Sequence, residues 1–566
     1  MRKFLFVSRR DAKGKPVQFE DYSKIAKQFE TKVLDKLSER TSHPLILEHM
    51  PHIERAQLSK LGPKSQFVPY YESKLHERVD EVMEDSNSIL VEDAALNATI
   101  DYLRSFIERG SVPLVSIDQV WNTLPDEKDM GDINAPSLDF TTNSGPPFYM
   151  RQWRDITGQD ATRNRVSDAI LRTAKYYNRY LQDGVPVPWR SIMAHRLTSG
   201  GHENFATKER PVIAMEKANA VCGKRVTYKL LDAGRKVAIG AEGLTTRPFV
   251  AWLDAPHLDI EMKMLLEYQR QNKDIVINSS DVSAFDSSAN SNLIMLAGEI
   301  VGYWMKGGQK YVRALAESMA CHTSVLAPGG LHLPARGGIK SGDGLTNLID
   351  TIMSLIVFWY GHFAGAYQLL GAYAQGDDGI QVGRGITKDN ISDVYEVFGF
   401  DANPDKQWEA PGTVQYLQKL FVYDWEGGIF PVSRALVSSL TYERLKFKPD
   451  EWSPEAQTVQ IMSVLENAVF NPLHKDLIDF VAEGDKFHLH SSLSPASKVL
   501  QRAGLAGMKV LINAKSESIN DTVANESRNG FDLAISNGVL RGETFPPQGG
   551  REYWTRAYRS RADGLA

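Results

Sequence analysis

The chain has 566 residues and a formal net charge of −5, with 42% hydrophobic and 24% charged residues. That is ordinary globular composition, which excludes a disordered, collagen-like or low-complexity chain, and the length calls for several subdomains rather than one core. Two cysteines, Cys222 and Cys321, are too few for a disulfide framework or a Cys-rich zinc site and suit a reducing compartment.

The opening MRKFLFVSRR has four consecutive apolar residues, too short a run for a secretory signal. Residues 1–110 read as polar and helical, with EDYSKIAKQFETKVLDKLSER as the clearest stretch. Turn-rich text follows at 123–147 and ends in Gly145, Pro146 and Pro147. Residues 151–236 then hold 17 Lys+Arg against 8 Asp+Glu, a balance of +9 that leaves −14 on the rest. A basic concentration inside an acidic protein points to a local site for phosphate groups; taken alone, it is equally a solvated helix face.

From about 273 to 425, strand-like and helix-like segments alternate. Residues 351–376 contain no Asp, Glu, Lys or Arg, a length that would span a bilayer. Gly361, His362, Gly365 and Gly371 interrupt that run, and Asp350 and Asp377 bound it without a basic flank. A buried helix followed by a buried strand is therefore expected, and no membrane span. After 430 the pattern turns helical, as in PEAQTVQIMSVLENAVF. The tail alternates Tyr553, Trp554 and Tyr558 with Arg551, Arg556, Arg559 and Arg561, which suits stacking on single-stranded bases or an initiating nucleotide.

Three features of the 273–425 region fit one chemistry. In DIVINSSDVSAFDSS a buried strand runs into Asp281, and Asp286 follows in the turn before the helix NLIMLAGEIVGYW. In SGDGLTNLIDTIMSL a Ser341-Gly342 loop opens a helix marked by Leu348, Ile349, Ile352, Leu355 and Ile356. GAYAQGDDGIQV reads as a β-hairpin with Asp377 and Asp378 at its tip. A lone Gly-Asp-Asp-Gly is most often a surface turn. Here a Ser-Gly loop lies 60 residues after Asp281, and Asp377 lies 36 residues beyond Ser341, which makes a specific triple. Nucleotidyl transfer needs two divalent cations about 4 Å apart to clamp the entering and leaving oxygens. Mg²⁺ takes carboxylate oxygens plus phosphate and water. Two strand-end aspartates, Asp281 and Asp377, are the minimum scaffold, with Asp378 in support because neighbouring strand residues point opposite ways.

These stretches resemble, in order, the motifs of viral RNA-dependent RNA polymerases of the right-hand fold, over roughly 140–425. Asp281–Asp286 is similar to the first palm motif, Ser341-Gly342 with Thr346 to the second, and Gly376-Asp377-Asp378 to the third. FGFDANPDK is similar to the fourth, with its lysine at Lys406, and YLQKLFVYDW to the fifth, a hairpin that grips the primer. KERPV at 208–212 resembles the basic fingers motif and NSGPP at 143–147 the template-entry loop. The KxRPV form, an aspartate at 350 and a chain under 600 residues resemble the partitivirus and picobirnavirus type of double-stranded RNA viruses.

The resemblance implies an α+β right-hand fold: an N-terminal extension bridging fingers and thumb (1–110), fingers (111–272 and 300–335), palm (273–299 and 336–428) and thumb with tail (429–566). It implies template-directed RNA synthesis from ribonucleoside triphosphates, with Asp281, Asp377 and Asp378 on Mg²⁺ or Mn²⁺ and Lys406 as general acid. Lys406 would need partial burial near other cations for that role. Lys208, Arg210, Asp286, Ser341, Gly342, Thr346, Asn347 and Asp350 would hold the nucleotide, and Ser144, Gly145, Pro147, Lys217 and Lys419 the template. Asp286 stands where reverse transcriptases carry a bulky aromatic, and a carboxylate accepts from a 2′-OH. The family pairs it with an asparagine nine residues after the loop serine. That offset falls on Asp350 here, with Asn347 nearby and Ser341 and Thr346 as further donors. Implied partners are template and nascent RNA, the triphosphates and a capsid protein, in virion interior and host cytoplasm.

Overall fold

The structure is a computed structural model. It describes residues 22–62, 91–122, 144–149, 161–199, 201, 207–252, 255–327, 330–440 and 464–484. The aromatic-basic tail, Asn143 and most of the PEAQTVQIMSVLENAVF stretch lie outside these residues.

The polar N-terminal stretch forms α1 (Tyr22–Lys32), which buries Tyr22, Ile25, Ala26 and Phe29 along one face. Two short turns follow, then α2 (Pro44–Leu58), which starts on a proline at its first position. Next come α3 (Asp93–Arg104), α4 (Ala161–Gln182), β1 (Trp189–Ser199), β2 (Thr207–Met215), α5 (Lys217–Gly234) and α6 (Ala255–Gln271). The acidic region supplies β3 (Val276–Ser280), α7 (Ser291–Trp304), α8 (Gln309–Cys321), β4 (Thr323–Ala327) and β5 (Gly330–Ala335). It continues with α9 (Thr346–Phe363), β6 (Gln368–Gln375), β7 (Asp378–Arg384) and α10 (Lys388–Val397). The chain closes with β8 (Thr413–Tyr416), β9 (Lys419–Val422), α11 (Val432–Leu440) and α12 (His474–Gly484).

The uncharged run folds as a buried helix and strand. Every α9 residue from Leu348 to Gly361 is buried, as expected of a helix that is apolar all round. Among the described residues no helix is long and apolar enough to cross a membrane. α10 starts at a capping box, in which the Thr387 side chain accepts from the Asn390 N–H and the Asn390 side chain from the Thr387 N–H.

β6, β7 and β3 form an antiparallel sheet with β7 in the middle, while β2, β1, β4 and β5 form a second, mixed sheet. The first sheet is a wall between two cores. Leu369, Ala372 and Ala374 face one core, built on α7, α8 and α9. Leu370, Tyr373, Ile380, Val382 and Ile277 face the other. That second core gathers α1, α2, α6, the β8–β9 hairpin, α11 and α12. The described residues of 1–110 are therefore shared out: α1 and α2 join the second core, whereas Ala95 and Leu103 of α3 join the first.

The β8–β9 hairpin turns on Leu417 and Gln418, both at positive φ (47° and 65°). Two-residue hairpins with both central residues left-handed match strand twist best and normally carry Asn-Gly. Leu417 is held there by burial in the second core.

Candidate active site

β3 ends at Ser280, and Asp281 is the next residue. In the β3–β7 ladder Ser280 stands opposite Gly379 and Ser279 opposite Ile380. The same register carried one step further sets Asp281 against Asp378, the first residue of β7. Gln375 pairs with Asp378, so Gly376 and Asp377 make a two-residue hairpin turn. Gly376 has φ +62°, which a residue with a Cβ adopts only at a cost. Asp281 and Asp377 are exposed and Asp378 is half-buried.

Tyr395 of α10 lies buried beneath this tip. Its hydroxyl is 3.0 Å from Ser280 Oγ, which also accepts from Gln381 Nε2 at 3.2 Å. Burial, followed by the charges of Asp377, Asp281 and Asp378, pushes the Tyr395 phenol above the usual tyrosine range. All three carboxylates thus bear on one buried hydroxyl.

The hairpin turn is held from behind by α9. Gly376 N–H donates to Thr351 Oγ1 at 3.0 Å, and Ser354 Oγ donates to the Gly376 carbonyl at 2.7 Å. One helical turn earlier, Asp350 is 4% exposed and its Oδ1 has no hydrogen-bond partner. Burial first, then the charges of Asp286 and Asp377, push its carboxyl well above the usual range. As a neutral acid it offers an O–H donor next to Asp286. Asn347, exposed, also flanks the turn: a Cβ on Gly376 would lie 3.9 Å from its Nδ2 and 4.0 Å from the Asp350 Cβ.

Asp286 is exposed on a four-residue helix, Phe285–Ser288, entered through Ala284 at φ +53°. A left-handed alanine is uncommon, and such strain clusters at working sites. Lys406 reaches into the same turn, its Nζ donating to Ser283 Oγ at 3.3 Å. The partial burial expected of Lys406 is not found: it is exposed, because its 3-10 turn (Pro404–Lys406) lies on the surface.

The Ser-Gly loop docks between two elements. Ile339 N–H donates to the Asp286 carbonyl at 2.6 Å, and Ser341 Oγ accepts from Ile213 N–H of β2 at 3.1 Å. A Cβ on Gly342 would lie 2.5 Å from the Ile213 carbonyl oxygen, so the loop needs glycine to come this close. Thr346 Oγ1 is turned to the Lys340 carbonyl at 2.9 Å. Lys208 and Arg210 lie on β2, opposite Thr198 and Arg196 of β1. Ser144 and Gly145 pack at the start of α5, where Lys217 N–H donates to the Ser144 carbonyl at 3.1 Å. Ser144 is buried, Pro147 exposed and Lys217 half-buried.

The template contact expected at Lys419 is corrected. Lys419 is 2% exposed, with its ammonium 3.8 Å from Asp259 of α6, so its charge is compensated inside the protein.

Sequence reasoning missed Thr351, Ser354 and Tyr395, and also Asn219, Lys340 and Asp343, which pin the Ser-Gly loop from within. One signal was available: Thr351 and Ser354 are hydroxyls three residues apart in a mostly apolar helix.

Among the described residues no group of three or more His, Cys, Asp or Glu side chains is gathered closely enough to hold a metal ion by itself. The donors at the hairpin tip are carboxylate oxygens, and Asp281 and Asp377 are open to solvent. This set fits Mg²⁺ or Mn²⁺, which is held by a few carboxylates and completed by substrate phosphate.

An antiparallel three-stranded sheet with aspartates at a hairpin tip and helices behind it has the layout of a right-hand polymerase palm. Residues 262–462 match the viral RNA-dependent RNA polymerase family. A human picobirnavirus protein described as a potential RNA-dependent RNA polymerase is 25% identical over 368 residues, covering 62% of this chain and 63% of its own. The crystal structure of a human picobirnavirus RNA-dependent RNA polymerase is similar, with a TM-score of 0.66, 18% identity and coverage of 96% of this chain and 92% of that one. An insertion-loop deletion mutant of that polymerase gives 0.63 at 17% identity, with coverage of 96% of this chain and 92% of that one.

Proposed function

We propose that this chain copies an RNA template into RNA from ribonucleoside triphosphates, in the replication and transcription of a double-stranded RNA virus. The observation that carries this is the β3–β7 register, with Ser280 opposite Gly379, which leaves Asp281 and Asp378 as the adjoining residues at one end of the sheet and Asp377 in the turn beside them. In this reading Asp281, Asp377 and Asp378 hold the divalent cations. When bound, those cations activate the primer hydroxyl and offset charge on the departing pyrophosphate.

The chain's own residues do the rest. Lys208 and Arg210 neutralise the triphosphate, Arg210 through a planar fork that matches phosphate oxygens. Asp286 accepts a hydrogen bond from the ribose 2′-OH, and Asp350 supplies the donor that keeps Asp286 aligned. Ser341, Gly342, Thr346 and Asn347 shape the sugar side of the pocket. Lys406 is the group assigned to protonate the leaving pyrophosphate; its 3.3 Å contact with Ser283, between Asp281 and Asp286, keeps it near the reacting end, while its exposure means that the bound triphosphate has to supply the enclosure the role needs. Ser144, Gly145, Pro147 and Lys217 guide the template backbone, which is gripped without regard to sequence.

Fingers at 111–272 and 300–335, palm at 273–299 and 336–428, and thumb at 429–566 follow from this reading. The sharing of α1, α2 and α3 between both cores supports a bridging role for the extension at 1–110. A capsid protein as partner and work in virion and host cytoplasm belong to the same proposal.

The test is purified protein with single-stranded RNA, four ribonucleotides and Mg²⁺ or Mn²⁺. Template-length product is expected, and Asp377→Ala should abolish it while RNA binding and folding persist. Equal incorporation of deoxynucleotides would defeat the role given to Asp286.

A further inference from the structure

The loop 337–345 is rich in glycine and has little conformational preference of its own. Its shape is set by bonds to other elements. On one side Gly338 N–H donates to the Ala289 carbonyl at 2.7 Å, next to the bond from Ile339 N–H to the Asp286 carbonyl. Inside the loop the fully buried Lys340 donates to the Gly337 carbonyl and, at 3.0 Å, to that of Gly338. On the other side, two buried side chains meet. Asn219, in the first turn of α5 and 1% exposed, donates from Nδ2 to Asp343 Oδ2 at 2.5 Å. Its Oδ1 accepts from Gly344 N–H at 2.9 Å. The other Asp343 oxygen accepts from Leu345 N–H at 2.9 Å. Gly344 rests on α5 so closely that a Cβ on Gly223 would lie 2.8 Å from it.

A buried amide–carboxylate pair is an expensive source of stability, because the charge must leave water. It is well suited to fixing one geometry, since each partner is fully committed. Here the committed groups lie on the loop that carries Ser341 and on the helix directly after β2, the strand of Lys208 and Arg210.

We propose that Asn219 and Asp343 form a positioning latch that sets nucleotide affinity and ribose selection by locking the Ser341 loop to α5 and β2. The proposal rests on the polymerase reading above. Neither residue touches substrate; the pair acts through the position of Ser341 and through the loop's bond to Asp286.

Single substitutions break the latch by design. Asn219→Asp sets carboxylate against carboxylate, and Asp343→Asn sets amide donor against amide donor. The double swap, N219D/D343N, restores every bond: the amide now sits on the loop and donates to a carboxylate on α5, which still accepts from Gly344 N–H. Primer extension on RNA would be followed under nucleotide titration, with ribo- and 2′-deoxynucleotides and with melting temperatures alongside. Each single variant should raise KM about tenfold and lower ribose preference, with kcat within about threefold of wild type. The swap should return both to within about twofold. A fall in melting temperature with unchanged KM and ribose preference would overturn the latch, and so would a swap that fails to rescue. If the single variants do not fold, Asn219→Ser keeps an oxygen for Gly344 and loses the amide donor; a wild-type KM there overturns it equally. Absence of extension by the wild type would sink the polymerase reading itself, a different result from wild-type kinetics in the variants.

Discussion

Ser280 and Gly379 face each other across the β3–β7 ladder, and a Cβ at Gly379 would run into the Phe358 ring of α9. The glycine lets the strand lie flat on the helix and so fixes the height of Asp378 relative to Asp281. Gly379→Ala should cost about 1–3 kcal/mol by overpacking. Activity should fall further than stability explains, because the carboxylates are displaced. Chemical denaturation and single-turnover extension, compared on the same protein, check both.

Thr351 and Ser354 hold the Gly376 peptide from both sides. Thr351→Val leaves the Gly376 N–H buried without an acceptor, at about 1–3 kcal/mol. The expected signature is a drop in kcat with little change in KM, since Asp377 and not the nucleotide pocket moves. A raised KM at constant kcat would argue against this.

Asp350 is buried, with burial and two nearby carboxylates favouring its neutral acid. Asparagine has the same shape and also donates. Asp350→Asn should therefore keep nucleotide KM and ribose preference within about threefold of wild type, whereas Asp350→Leu should weaken ribose preference about tenfold or more. Incorporation ratios for ribo- and deoxynucleotides decide.

Burial pushes the Asp343 carboxyl up to about 6, against the Leu345 N–H, the Asn219 amide and the Lys340 charge, which lower it. The folded chain therefore binds the extra proton between about pH 4 and 6, and this group's contribution to stability falls as pH rises through that window. Wild type should lose about 2–3 kcal/mol more than Asp343→Asn over that interval. The donor clash in the variant shifts its absolute stability but not this difference in slope. Parallel slopes in urea titrations would refute the assignment.

Glu54 of α2 accepts from Val432 N–H at 2.9 Å, Ser433 N–H at 2.8 Å and Asn471 Nδ2 at 2.9 Å. It caps α11 from a segment 378 residues away. Glu54→Ala should cost about 2–5 kcal/mol by leaving these donors unpaired. The loss should appear as faster hydrogen exchange in α11 and α12 before the β3–β7–β6 sheet is affected.

Much of the site was legible in the sequence because its framework is local. A strand running into Asp281, a Gly-Asp-Asp turn between two strands and a Ser-Gly loop opening a helix marked by Leu348, Ile349, Ile352, Leu355 and Ile356 follow from side-chain period and turn chemistry over a few residues. The charge-free stretch likewise yielded a helix and a strand, α9 and β6. What tertiary structure alone decided is which polar groups meet in the interior. Tyr395 reaches Ser280 over 115 residues, and Asn219 reaches Asp343 over 124. Lys419 is drawn inward to Asp259, against the usual exposure of lysine. Local preference is silent on such pairs: a buried polar group is stable only where the whole packing brings a partner to about 3 Å, and that is a property of the folded chain, not of any short segment.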